Sequence, residues 1–264
     1  MNSRAVEKHE GFHWLARTGF VARAVVYVLV GILAVKLAAG SGGDSASQQG
    51  ALEAIARQPF GRELLVLVAI GLAGYALWRL YHALIGRGPE RADRPIDRVV
   101  ALASGLVYAG LCAIAVEILL GSGSGGSGSA SPATAGVLGR SGGTWLVGAA
   151  GVVLAGVGLF QGYRAFAKDF LEDSKTEEMS PGVRAWFEWI GSFGYLARMV
   201  VFVLVGVFLV EAAVEFDPNK AVGLDGALAK VVRAPYGPFL LAVVAAGLIA
   251  FGLYSLADAR YRRL

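Results

Sequence analysis

Six apolar runs constrain this chain more than any other feature. They are roughly Gly19–Ala39, Leu64–Leu84, Val99–Leu120, Trp145–Phe166, Phe193–Val214 and Phe239–Ala257. A helix rising about 1.5 Å per residue needs about 20 mostly apolar residues to cross a hydrocarbon core about 30 Å thick. Each run meets that length, so the expected fold is all-α, a polytopic membrane protein with six transmembrane helices. Composition agrees: 56% of the 264 residues are hydrophobic and 17% charged, against about 25% charged in a soluble domain. Every run contains at least two of the chain's 37 glycines, and small residues let helix backbones approach closely in lipid. The first run is too long for a cleavable signal peptide and five more follow it, so it reads as a retained span.

Lys and Arg outside the spans are unevenly distributed. Arg4, Lys8, Arg17, Arg87, Arg91, Arg94, Arg98, Arg164, Lys168, Lys175, Arg184, Arg260, Arg262 and Arg263 fall on one side, 14 in all. Arg57, Arg62, Arg140, Lys220, Lys230 and Arg233 make six on the other. The positive-inside bias then predicts cytoplasmic N- and C-termini in a bacterial inner (plasma) membrane. The excess of arginine over lysine, with abundant Ala and Gly, points to a high-GC bacterial source. The net charge of +4 is read as attraction to anionic headgroups on the cytoplasmic side. No basic stripe is interleaved with stacking aromatics, so no nucleic-acid partner is expected.

The chain also repeats itself. Gly19–Gly31 (GFVARAVVYVLVG) and Gly194–Gly206 (GYLARMVVFVLVG) are identical at nine of 13 positions without a gap. Gly50–Gly61 (GALEAIARQPFG) recurs as Gly226–Gly237 (GALAKVVRAPYG), and Gly71–Tyr81 aligns with Gly247–Ala257. A diverged middle copy aligns Val99–Glu117 with the first helix of the other two and Val157–Tyr163 with Tyr75–Tyr81. Its connecting loop, 121–131, contains only Gly, Ser and Ala, the composition of a flexible linker. The expected units are 1–86, 87–180 and 181–264, each with two spans. An even number of spans keeps all copies parallel, which predicts a pseudo-threefold axis along the membrane normal and matching residues at one depth.

Ala22-Arg23, Val25-Val26-Tyr27 and Gly31, their counterparts Ala197-Arg198, Val200-Val201-Phe202 and Gly206, and the run Gly71 with Tyr75–Arg79 together resemble the domain-of-unknown-function 1206 family. The resemblance spans essentially the whole chain and implies a six-span bacterial membrane protein of three tandem two-helix repeats. It implies no biochemical activity. The Pro-x-Asp/Glu-x-x-Lys/Arg motif of mitochondrial carriers, which also use three tandem hairpins, does not occur at the ends of the odd spans.

Charges inside the spans are the candidate site. Lys36, Glu117 and Glu211 occupy equivalent repeat positions. As a buried polar cluster on the pseudo-axis they would bind an ion or polar solute, or relay protons. The preferred alternative is that each long side chain snorkels to nearby headgroups. Toward the other face the matching set is Arg23, Ser104 and Arg198, with Arg79 on the second span. Headgroup anchoring is the preferred reading of Arg23 and Arg198; the sharper one is a bond to freed carbonyls or to acids of the neighbouring hairpin.

Trp78, Tyr81 and Tyr163 beside Arg79, His82 and Arg164 read as an interface belt. A proton relay through His82 is a weaker reading. Phe12–Leu15 and Phe187–Ile190 read as short interfacial helices, and Lys168–Glu178 as a solvated connector, with partner docking a minority reading.

One cysteine excludes a disulfide framework, and three histidines, only one of them in an apolar run, exclude a bis-histidine haem bundle. Phosphate-loop, HExxH and GxSxG motifs do not occur. No catalytic, cofactor-binding or metal-ligating residue is assigned, and no cofactor is expected. The reading is a non-enzymatic accessory or scaffold protein whose partners are the lipid bilayer and a membrane protein or a second copy. The alternative is a small conduit built on Lys36, Glu117 and Glu211. The apolar middles Val28–Leu33, Leu106–Leu111 and Val203–Phe208 favour the first.

Overall fold

A computed structural model describes residues 3–41, 45–85, 95–121, 143–215, 217 and 224–262, with side chains on the first helix from residue 17 onward. These residues form α1 (Ser3–Ala38), α2 (Gln48–Ala56), α3 (Gly61–Ile85), α4 (Pro95–Leu119), α5 (Gly143–Ala167), α6 (Pro181–Val214), α7 (Leu224–Val232) and α8 (Gly237–Tyr261). Two 3-10 turns, Asp169–Leu171 and Thr176–Glu178, lie between α5 and α6. Helices α1, α3, α4, α5, α6 and α8 are long and apolar enough to span a membrane, one for each of the six runs. The N-tail side chains of Arg4, Lys8 and Phe12–Leu15, most of the 121–131 loop, and Arg87, Arg91, Arg94, Arg140, Lys220 and Arg263 lie outside the described residues.

The expected interfacial helices are not separate. Residues 12–15 and 187–190 belong to the uninterrupted helices α1 and α6. No proline falls inside either helix beyond Pro181 at the start of α6, so nothing forces a break.

Helices α2 and α7 are short and follow the first and fifth spans. Ser47 caps α2, its hydroxyl accepting from the Gly50 amide at 3.0 Å, which satisfies one of the donors left over at a helix start. The Arg-x-Pro-aromatic-Gly block then turns the chain into the next span. Phe60 and Tyr236 take left-handed φ values of 60° and 59°. Gly61 and Gly237 press against the last carbonyls of α2 and α7, where a Cβ would overlap Ala56 or Val231 and Val232. The repeated block is therefore a helix-to-span corner.

Packing follows the repeats. The spans touch in the series α5, α6, α8, α1, α3, α4, so the first and last hairpins meet through α1 and α8. The interface between successive hairpins recurs three times. A Cβ on Gly31 of α1 would lie 2.9 Å from the Ala245 carbonyl of α8, and one on Gly206 of α6 would lie 2.7 Å from the Gly151 carbonyl of α5. At the matching place in the middle copy, Cys112 of α4 donates its thiol to the Ala69 carbonyl of α3 at 3.5 Å. The three contacts use equivalent positions in the repeat register. That recurrence is what a pseudo-threefold arrangement of parallel hairpins requires.

Within a hairpin the arrangement is not threefold. In the outer copies Gly19 lies on Tyr75 and Gly194 on Phe251, with room for a Cβ in neither case, while Gly71 and Gly247 lie on Ala22 and Ala197. The middle copy carries Val100 and Val153 at these glycine positions. Two extra isopropyl groups prevent the close approach, and α4 and α5 have no extended contact among the described residues. The bundle thus has a seam in its diverged repeat.

Candidate functional site

Arg23 is only 3% exposed, although α1 passes through the centre of an apolar bundle. Leaving its charge unpaired there would be costly, since the effective penalty is several kcal/mol per ion. Three acceptors meet it. Its Nε donates to Ser255 Oγ at 3.0 Å, Nη1 donates to Tyr75 Oη at 2.6 Å, and Nη2 lies 3.4 Å from Asp258 Oδ2. Ser255 and Asp258 are on α8, so the bonds join the first hairpin to the third. The guanidinium also lies over the rings of Phe20, Tyr75 and Phe251, 4.7–5.2 Å from their centroids, adding a cation–π contribution. The headgroup-anchor reading of Arg23 is thereby corrected: the side chain points into the bundle, to an acid of the neighbouring hairpin.

Asp258 is fully buried and accepts twice more. Arg262 Nη1 donates to its Oδ2 at 3.1 Å and Ser174 Oγ to its Oδ1 at 3.3 Å. Arg262 also donates to Asp173 Oδ2 at 3.1 Å, and the same oxygen accepts from Arg164 at 2.8 Å. The network runs Arg23, Asp258, Arg262, Asp173, Arg164 without a break, through charge-assisted bonds that are stronger than neutral ones. Burial opposes the charge on Arg262, but Asp258 and Asp173 outweigh it and hold its pKa above the ordinary arginine value.

The connector between α5 and α6 supplies Asp173 and Ser174 to this network, so it is not the solvated strap expected of residues 168–178. Phe170 is fully buried against Phe187, Tyr195 and Tyr254. Ser174 forms an isolated bridge with Arg262, and the Lys175 amide donates to the Tyr261 carbonyl at 2.7 Å. The buried Phe170 side chain and the two aspartate bonds draw the segment inward despite its charge content.

The rest of the set expected with Arg23, namely Arg79, Arg198 and Ser104, is distributed around this core. Arg79 is half-buried and donates to Tyr75 Oη at 3.0 Å, so Tyr75 joins two arginines. Arg198 is 8% exposed and lies over Tyr27, Phe202 and Phe251 at 5.3, 4.9 and 4.4 Å; its side chain points into the bundle, so the outward-reaching anchor expected of it is corrected. Ser104 is half-buried. The interface-belt reading is divided, because Trp78 is buried against Phe20 and His82 whereas Tyr81 and Tyr163 are exposed.

The second candidate set does not form a buried cluster. Lys36 and Glu117 are exposed and Glu211 is half-buried, each near the end of its helix, α1, α4 or α6. Their register matches, but the helix faces that carry them are not enclosed. Among the described residues no three His, Cys, Asp or Glu side chains come together as a metal site.

Asp258, Asp173, Arg262 and Tyr75 were not selected from the sequence. Asp258 carried a signal, an acid at the repeat position that holds His82 and Arg164 in the other copies. Asp173 carried none, because its role depends on the connector folding inward.

Three stretches of the chain, residues 18–86, 99–168 and 193–262, match the Domain of Unknown Function family DUF1206. They coincide with the three hairpins. A Bacillus subtilis (strain 168) protein named "Uncharacterized protein YxxB" is 33% identical over 265 residues, covering 97% of this chain and 94% of that protein. No solved structure matches the chain. With its three hairpins each matched and a full-length relative at this identity, the chain belongs to the DUF1206 family.

Proposed function

We propose that this multi-pass membrane protein is a non-enzymatic accessory or scaffold protein of the plasma membrane, with both termini on the cytoplasmic side. Its partners are then the bilayer, including anionic headgroups, and other membrane proteins or a second copy, with no role for nucleic acid. One observation carries the reading: the buried ion pairs Arg23–Asp258, Arg262–Asp258, Arg262–Asp173 and Arg164–Asp173 close on each other inside the bundle. Tyr27 packs on Phe251 and Tyr75 on Tyr108, with centroids 4.8 and 4.5 Å apart, at the level of Arg23 and Arg198. Beyond that level the buried residues of the described spans are apolar, including Val30, Leu33 and Ala34 on α1, Ala115 on α4, Ala212 on α6 and Leu241 on α8. A conduit needs polar groups along its path, and Lys36 and Glu117 do not supply them from within.

Flux through reconstituted vesicles tests this. Liposomes containing the purified protein should show the same proton, sodium, potassium and chloride leak as empty liposomes, and Glu117→Gln should change nothing. A protein-dependent flux abolished by Glu117→Gln would establish the conduit instead.

A further inference from the structure

Arg198 sits at the same repeat position as Arg23, but each of the three groups that accept from Arg23 is replaced at the equivalent place. Tyr75 becomes Phe251, which has no hydroxyl; Ser255 becomes Gln161; Asp258 becomes Arg164. Accordingly the buried Arg198 Nε has no hydrogen-bond partner among the described residues, and its guanidinium lies over three aromatic rings. Rings attract the cation but accept none of its N–H bonds in the plane of the fork. The charge balance points the same way. Among the described residues Arg23, Arg164, Arg198 and Arg262 are buried with two buried acids, Asp173 and Asp258, and both aspartates are engaged with the other three arginines. Among the described residues Arg198 therefore has no counter-anion.

We infer that Arg198 anchors a binding site for a phosphate group. The planar guanidinium fork matches a phosphate in bidentate fashion, and the cage of Tyr27, Phe202 and Phe251 holds that fork in a fixed orientation. Gln161, buried on the face of α5 that packs against α6, occupies the repeat position at which α8 presents Ser255 to Arg23. Depth suits the source. Arg198 stands 16 residues before the end of α6 at Val214, about 24 Å along the axis, which places it near one boundary of a core about 30 Å thick. The phosphate is therefore that of a lipid headgroup or a free phosphate ion reaching the same level. The open seam beside α5 gives a lipid lateral access to this part of the bundle. This site does not depend on the accessory reading, since a stability shift and a flux are separate measurements.

The test is thermal unfolding of the full-length protein in dodecyl maltoside, a detergent without phosphate, read with inorganic phosphate at matched ionic strength, and separately with added phosphatidylglycerol. At ten times the dissociation constant the wild type should gain about 3–6 °C. A gain with phosphatidylglycerol alone assigns the headgroup as the source, and a gain with inorganic phosphate assigns the free ion. Arg198→Met should lose the gain. Phe251→Tyr restores the hydroxyl that Arg23 enjoys, keeps the charge, and should reduce the gain by at least half; it decides the matter should Arg198→Met not fold. The proposal is overturned if neither phosphate source stabilises the wild type, or if Phe251→Tyr and every folded Arg198 variant gain as much as the wild type does.

Discussion

Asp258→Ala is expected to destabilise the protein by about 3–5 kcal/mol, the usual effect of removing one partner from a buried ion pair. Three donors converge on this carboxylate, Arg23, Arg262 and Ser174, and it is the point at which α8 holds α1. Alanine leaves Arg23 with two neutral acceptors and leaves Arg262 sharing Asp173 with Arg164. Asp258→Asn should fall between wild type and alanine, because the amide oxygen still accepts but carries no charge. Arg57→Ala is the control. Arg57 pairs with Glu53 at 3.5 Å while 63% exposed, and exposed pairs contribute only about 0–1 kcal/mol. Unfolding midpoints in detergent measure all three. An Asp258→Ala midpoint equal to that of Arg57→Ala would mean the network does not hold the bundle.

Gly19→Val and Gly194→Val should be comparably damaging. The new Cβ would lie 2.7–2.9 Å from Tyr75 in the first case and 2.7–2.8 Å from Phe251 in the second, with backbone atoms among those met. Such atoms cannot rotate away, so the loss should reach or exceed the ~1–3 kcal/mol typical of overpacking. The middle repeat shows the structural outcome, since Val100 replaces these glycines, Val153 replaces Gly71 and Gly247, and its two spans have parted. Gly110→Val and Gly156→Val add the same side chain where nothing lies within 4 Å. They should leave the elution profile and the unfolding midpoint within about 0.5 kcal/mol of wild type. Equal effects at all four glycines would show that helix propensity, and not close approach, governs the substitutions.

These two predictions draw on different parts of what the sequence reveals. The six spans and the threefold interface were legible because hydropathy and internal identity are local signals, and because Gly31, Cys112 and Gly206 fall in one register. The corner helices α2 and α7 were not legible, being too short for their periodicity to stand out, although their repeated block was visible. For the site, the equivalence of Arg23 and Arg198 could be read but their direction could not. A lone arginine near the end of an apolar run looks the same whether it reaches a headgroup or an acid 235 positions away. Lys36, Glu117 and Glu211 show the converse, since a shared register fixes equivalent positions without fixing which face is enclosed. The connector misled through composition: Phe170 and Asp173 outweigh its charged neighbours.

Disulfide trapping at three equivalent places tests the threefold arrangement most directly. A Cβ on Gly148 lies 3.4 Å from the Ala213 Cβ across α5 and α6, close to the separation within a disulfide. The repeat register carries that pair to Ala38 with Ala242 across α1 and α8, and to Val66 with Leu119 across α3 and α4. With Cys112 replaced by alanine, each paired cysteine variant should form an intramolecular disulfide in membranes under mild oxidation. A Gly148–Ala213 pair that closes while the Ala38–Ala242 pair stays reduced would contradict the account, because the first and last hairpins would then not meet as successive copies do.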